Sequence, residues 1–183
     1  MRAARVTTAV VAILAGYWAA ATFPITAQVK GNDNRISVMD DCLPGDPGWN
    51  PIGGCALSPQ QGDVPTAEFD ALLVSPLTVP PNGALVGHPS WRNEPSHLTV
   101  AEGKTVRVTN DGGRGHTFTE VAQFGGGFVP PLNIGMMPAP ECTPNTTTPL
   151  SSGATQELDG LAPGLHKFQC CIHPWMRATI RVE

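Results

Sequence analysis

Near the carboxyl end, a thiol, an imidazole and a thioether stand within seven residues, in the order Cys170-Cys171-Ile172-His173-Pro174-Trp175-Met176. Soft sulfur donors beside an imidazole suit copper, Cu(I) in particular, whereas a thioether is a poor ligand for zinc or magnesium. A trigonal site of two imidazoles and one thiolate, with a weak axial methionine, is an electron-transfer copper centre, so this loop lacks one imidazole. His116 is the candidate: it begins an alternating run just after a Gly-rich turn, and Phe118 and Glu120 continue the alternation. His116, Cys170, His173 and Met176 are therefore the candidate metal ligands, with one copper per chain cycling between Cu(I) and Cu(II).

Bringing His116 to a loop so far along the chain requires strands that run to a common end. From His97 onward the pattern supplies them: His97-Leu98-Thr99-Val100, Lys104 to Thr109, Gly115 to Val121, Thr155 to Leu158, Leu165 to Cys171 and Arg177 to Val182 alternate apolar and polar residues between Gly, Asn and Pro turns. A long loop is expected from Gly125 to about Ser152. Before His97 the chain is punctuated by Asp40-Asp41, Pro44 to Gly48, Gly53-Gly54 and Pro76 to Gly83. Ile36 to Met39 reads as a strand, and Phe69 to Val74 as a strand or a short helix, which periodicity leaves open. With 20 Gly and 19 Pro and no convincing helix, the fold class is an all-β sandwich with a Pro/Gly-rich N-terminal extension.

The amino end sets the compartment. Arg2 and Arg5 precede an uncharged apolar run from Val6 to Ala21, and small residues lead to polar Gln28-Val29-Lys30. This is the pattern of a secretory signal peptide, cleaved after Ala27 or after Ala21, and it predicts a periplasmic or secreted protein with no membrane attachment after cleavage. An uncleaved anchor is the alternative, the apolar run being near the short limit for a bilayer span. The expected organisation is a signal peptide over 1–27, an extension or small subdomain over 28–95, and a copper-binding domain over 96–183. The net charge of -4 and the absence of any basic stripe exclude nucleic acid as a partner.

Gly164-Leu165-His166-Lys167-Phe168-Gln169-Cys170, followed by His173 and Met176 and preceded far upstream by Gly115-His116-Thr117-Phe118, resembles the cupredoxins, the blue copper family of plastocyanin, azurin, pseudoazurin and amicyanin. The Cys-x2-His-Pro-x-Met loop most resembles the short loop of amicyanin. Over about His97 to Glu183 the resemblance implies a cupredoxin-like Greek-key β-sandwich, a mononuclear type 1 copper and one-electron transfer with a soluble or membrane-bound redox protein, the chain acting as a monomer and not as an enzyme. His166 stands where the family often has an aromatic. The small members have no counterpart of residues 28–95, read here as a disulfide-closed lobe on one sheet or an independently folding domain. His173 is expected to supply the solvent-facing edge, with Pro174 and Trp175 beside it as a docking patch or as packing that shields the metal.

If Cys170 is the thiolate, Cys42, Cys55, Cys142 and Cys171 remain, and in an oxidising compartment they form two disulfides. Of three connectivities, Cys42 with Cys55 and Cys142 with Cys171 is favoured. Adjacent strand residues point to opposite faces, so Cys170 can face the metal while Cys171 faces away. A dinuclear centre bridged by both thiolates would need both to face inward. An exported copper carrier or chaperone without a redox role is the competing function.

Overall fold

Period-two alternation buries Ile36 and Val38, Leu98 and Val100, Val106 and Val108, and Ala178, Ile180 and Val182, so four strands each offer one apolar face. The structure is a computed structural model and describes residues 33–73, 87–133 and 135–183. The signal peptide expected over 1–27 and the turn-rich stretch 76–83 lie outside the described residues. In chain order the strands are β1 (Arg35–Met39), β2 (Arg92–Glu94), β3 (His97–Val100), β4 (Val106–Asn110), β5 (His116–Thr117), β6 (Thr119–Glu120), β7 (Pro149–Leu150), β8 (Thr155–Leu158), β9 (Gly164–Gln169) and β10 (Arg177–Val182).

Two mixed four-stranded sheets result, ordered β2-β1-β4-β8 and β3-β10-β9-β6, and β5 with β7 forms a separate ribbon. Their inward side chains share one core, which includes Ile36 and Val108 from the first sheet, Phe168 and Ile180 from the second, and Cys170 and Met176. The run expected as one strand over Gly115 to Val121 changes sheets at Phe118. His116 pairs with Leu150 in the ribbon, whereas Thr119 pairs with Gln169 in the second sheet. The ring of Phe118 stacks on Phe168 at 4.7 Å between centroids, filling the corner where the chain crosses.

Part of the stretch expected as an extension is woven into the sandwich. β1 runs parallel to β4 and antiparallel to β2, so it is an interior strand of its sheet. Beyond β1 the chain forms a 3₁₀ helix over Pro47–Ile52 and α1 over Thr66–Leu73, the helical alternative for the segment around Phe69. Asp46 joins the two: its carboxylate accepts from Gly48 N at 2.9 Å and from Thr66 N and Oγ1 at 2.6 and 2.7 Å. Trp49, Phe69 and Trp91 pack together, with Phe69 and Trp91 centroids 4.7 Å apart. Among the described residues no helix is long and apolar enough to cross a membrane.

Candidate metal centre

Cys170 follows β9 directly, His173 and Met176 lie on the turn that leads into β10, and His116 opens β5. The turn is closed by its own backbone: Cys170 N donates to Met176 O at 3.0 Å, and Met176 N donates to His173 O at 2.9 Å. Thr117 Oγ1 accepts from Cys171 N at 2.8 Å, which ties the strand carrying His116 to the segment carrying Cys170. The structure thus brings His116, Cys170 and His173 together, their ligand atoms all within 4.8 Å of one another. Met176, 1% exposed, lies in the same core cluster as Cys170.

Both imidazoles present the same atom to sulfur. Nδ1 of His116 lies 3.8 Å from Cys170 Sγ and Nδ1 of His173 lies 3.7 Å from it. Metal–sulfur and metal–nitrogen bonds of about 2.3 and about 2.0 Å, opened to about 120°, separate the two donor atoms by about 3.7 Å. The cluster therefore fits one ion held in a trigonal array, and its thiolate and imidazoles are donors that suit copper. The sulfur also accepts from the backbone N–H groups of Thr117 and His173, each at 3.4 Å, two contacts that stabilise negative charge on it.

The charges follow from these contacts. Burial, the largest influence on the Cys170 thiol, favours its neutral form, yet the hydrogen bonds and charges of His116 and His173 outweigh it and hold the thiol well below its ordinary value. Burial likewise opposes charge on His116, but Asp40 and then Cys170 push that imidazole up to about 9. For His173, burial wins and the shift is downward.

Asp40 escaped the sequence reading, which took Asp40-Asp41 for a turn. Its Oδ2 lies 2.8 Å from His116 Nε2, and both side chains are fully buried. A signal was present: Asp40 continues the inward alternation of Ile36 and Val38, and a carboxylate on the core face of a strand requires a buried partner.

His173 does not supply a solvent-facing edge. It is 5% exposed, and rings from three parts of the chain surround it: Trp175 at 5.5 Å, Phe69 at 6.4 Å and Trp91 at 6.4 Å between centroids. Trp175 therefore acts as packing over the imidazole. What remains beside His173 is a cavity of about 430 Å³ whose lining includes Trp49, Phe69, Leu132 and Ile172. His88 packs against Trp91 and lies 3.5 Å from Glu68.

The cysteines pair as Cys42–Cys55 and Cys142–Cys171, and Cys170 is the free thiol. Cys171 and Cys142 belong to a small separate cluster with Val121 and Ala139, away from the core that holds Cys170, so the adjacent cysteines do face opposite ways.

No family model and no curated protein matches the chain. Among solved structures it is similar to a purple cupredoxin from Nitrosopumilus maritimus, at 23% identity over 57% of this chain and 96% of that one, with a TM-score of 0.39. It is also similar to an amicyanin mutant in its reduced state (23% identity, 49% of this chain and 71% of that one, TM-score 0.34). A second amicyanin mutant, in its Cu(I) form, gives 20% identity over 52% of this chain and 76% of that one, with a TM-score of 0.37. Two mixed sheets around one core, with His116, Cys170 and His173 gathered where β5 meets the turn between β9 and β10, make this a β-sandwich with a candidate metal centre.

Proposed function

We propose that this chain is an exported, monomeric type 1 copper protein that carries single electrons between redox proteins, holding one copper through His116, Cys170, His173 and Met176. The observation that carries this reading is the approach of both Nδ1 atoms to one buried sulfur, at 3.8 and 3.7 Å. A bound copper would supply the one-electron couple between Cu(II) and Cu(I). The chain's own residues then do three things. The β5 strand and the short turn after β9 hold the donors in place, so little rearrangement accompanies a change of charge. The backbone N–H groups of Thr117 and His173 stabilise the thiolate. Phe69, Trp91 and Trp175 pack around the imidazole of His173 and leave it 5% exposed.

The donors leave no obvious open position for a substrate, which argues against an enzyme. Burial of Cys170, His116 and His173 at 0, 0 and 5% exposure also opposes the rapid metal exchange that a copper carrier or chaperone requires. Adding Cu(II) to the metal-free protein tests the reading. An intense thiolate charge-transfer band and a narrow copper hyperfine splitting are expected, and both disappear in Cys170→Ser. A colourless stoichiometric complex with an ordinary tetragonal spectrum would reject it.

A further inference from the structure

The carboxylate of Asp40 is enclosed by donors. Oδ1 accepts from Cys42 N at 3.3 Å and Gly113 N at 3.1 Å, Oδ2 accepts from Arg114 N at 2.9 Å, and Oδ2 lies 2.8 Å from His116 Nε2. Three backbone N–H groups donate to it, an arrangement that stabilises the ionised carboxylate. The backbone closes on it as well: a Cβ added at Gly112 would lie 2.2 Å from Oδ2. A carboxylate fixed in this way has one acceptor site aimed at the His116 ring, so the ring keeps a proton on Nε2, and Nδ1 is the nitrogen left facing Cys170 for a metal to take.

We propose that Asp40 is a positioning residue of this centre, which holds His116 with Nδ1 toward Cys170 and biases a bound copper toward its oxidised state. The proposal rests on the copper reading above and deepens it. A copper taken by His116 Nδ1 would have the Asp40 carboxylate across the same ring, and a negative charge there would stabilise Cu(II) more than Cu(I), although the Arg114 guanidinium near Asp40 offsets part of it. Neutralising Asp40 would remove that preference for the oxidised state.

Asp40→Asn tests this, because the amide keeps the shape of the side chain and removes the charge. The expected result is a retained blue band with a preference for Cu(I) over Cu(II) raised tenfold or more, a rise in potential of about 59 mV for each tenfold step. An unchanged potential in a variant with an intact blue band overturns the proposal. The amide also turns donors toward Arg114 N and His116 and can cost the variant its fold, so a second measurement uses the unmodified protein loaded with Zn(II). Nitrogen-resolved proton spectra are expected to show an Nε2 proton on His116, at low field and protected from solvent exchange. A bare Nε2 overturns the proposal. Failure of the Cu(II)-loaded protein to develop a blue band rejects the copper reading instead, while the zinc spectrum decides the contact between Asp40 and His116 either way.

Discussion

The ring of Phe69 meets the imidazole of His173 edge-on, with 6.4 Å between centroids and 88° between planes. A residue of α1 thus covers the imidazole that was expected to face solvent. Phe69→Ala is expected to uncover the His173 edge and to accelerate oxidation of the reduced copper protein by hexacyanoferrate, with the position of the blue band unchanged. Removing a buried Phe also costs about 3 kcal/mol of stability, readable from the urea midpoint. An unaltered stopped-flow rate would show that Phe69 does not control access.

Gly127 lies against the segment that carries the thiolate. A Cβ there would meet Cys171 O at 1.9 Å, too close for the backbone to remain in place. Gly127→Ala is expected to lower stability by about 1–3 kcal/mol and to move the charge-transfer band, because the displaced peptide adjoins Cys170. Gly115→Ala is the control: nothing lies within 4 Å of a Cβ added there, and its urea midpoint should match that of the unmodified protein.

The Cys142–Cys171 disulfide spans 29 residues. On loop-closure grounds, replacing both cysteines by Ala should cost about 3–4 kcal/mol in denaturant unfolding. The Cys170 thiol is fully buried, so without reductant the folded metal-free protein should react slowly with a thiol reagent. In denaturant it should show one thiol, and five after reduction of both disulfides. More than one thiol before reduction would contradict this pairing.

Both ring nitrogens of His166 face acceptors, Nε2 toward Ala162 O at 2.7 Å and Nδ1 toward Glu120 Oε1 at 2.6 Å. The carbonyl of Ala162 first, and then the Glu120 carboxylate, raise its pKa above the ordinary value of 6.5. A raised pKa makes the stabilising contribution complete below about pH 6.5 and removes it as pH rises through the folded-state value. The difference in urea midpoint between the unmodified protein and His166→Asn should therefore be largest at about pH 5.5 and shrink by about pH 9. A difference that grows with pH would show that the imidazolium is not the stabilised form.

The candidate ligands on the turn after β9 stood out because Cys170, His173 and Met176 are neighbours in sequence, and ligand chemistry constrains their types. The strand alternation from His97 onward was legible for the same local reason, and the opposite faces of Cys170 and Cys171 followed from it. Asp40 was not, since its partner stands 76 residues away and two consecutive aspartates also make a turn. The cover over His173 was hidden more deeply. It depends on α1 and the segment around Trp91 packing against one ring, a tertiary outcome that no periodicity in either segment encodes.

β1 pairs in parallel with β4, placing Arg35 opposite Arg107, and β3 pairs in parallel with β10, placing His97 opposite Thr179. Neither pair can begin as a hairpin, since parallel neighbours need a long connection. Most of the loop-closure entropy is therefore lost before these contacts form, and the chain belongs among slow, high-contact-order folders. Cys170 follows β9 of the second sheet and His116 leads into β6 of the same sheet, so the gathering of these side chains is a late product of folding, completed only once β10 has found its place beside β3.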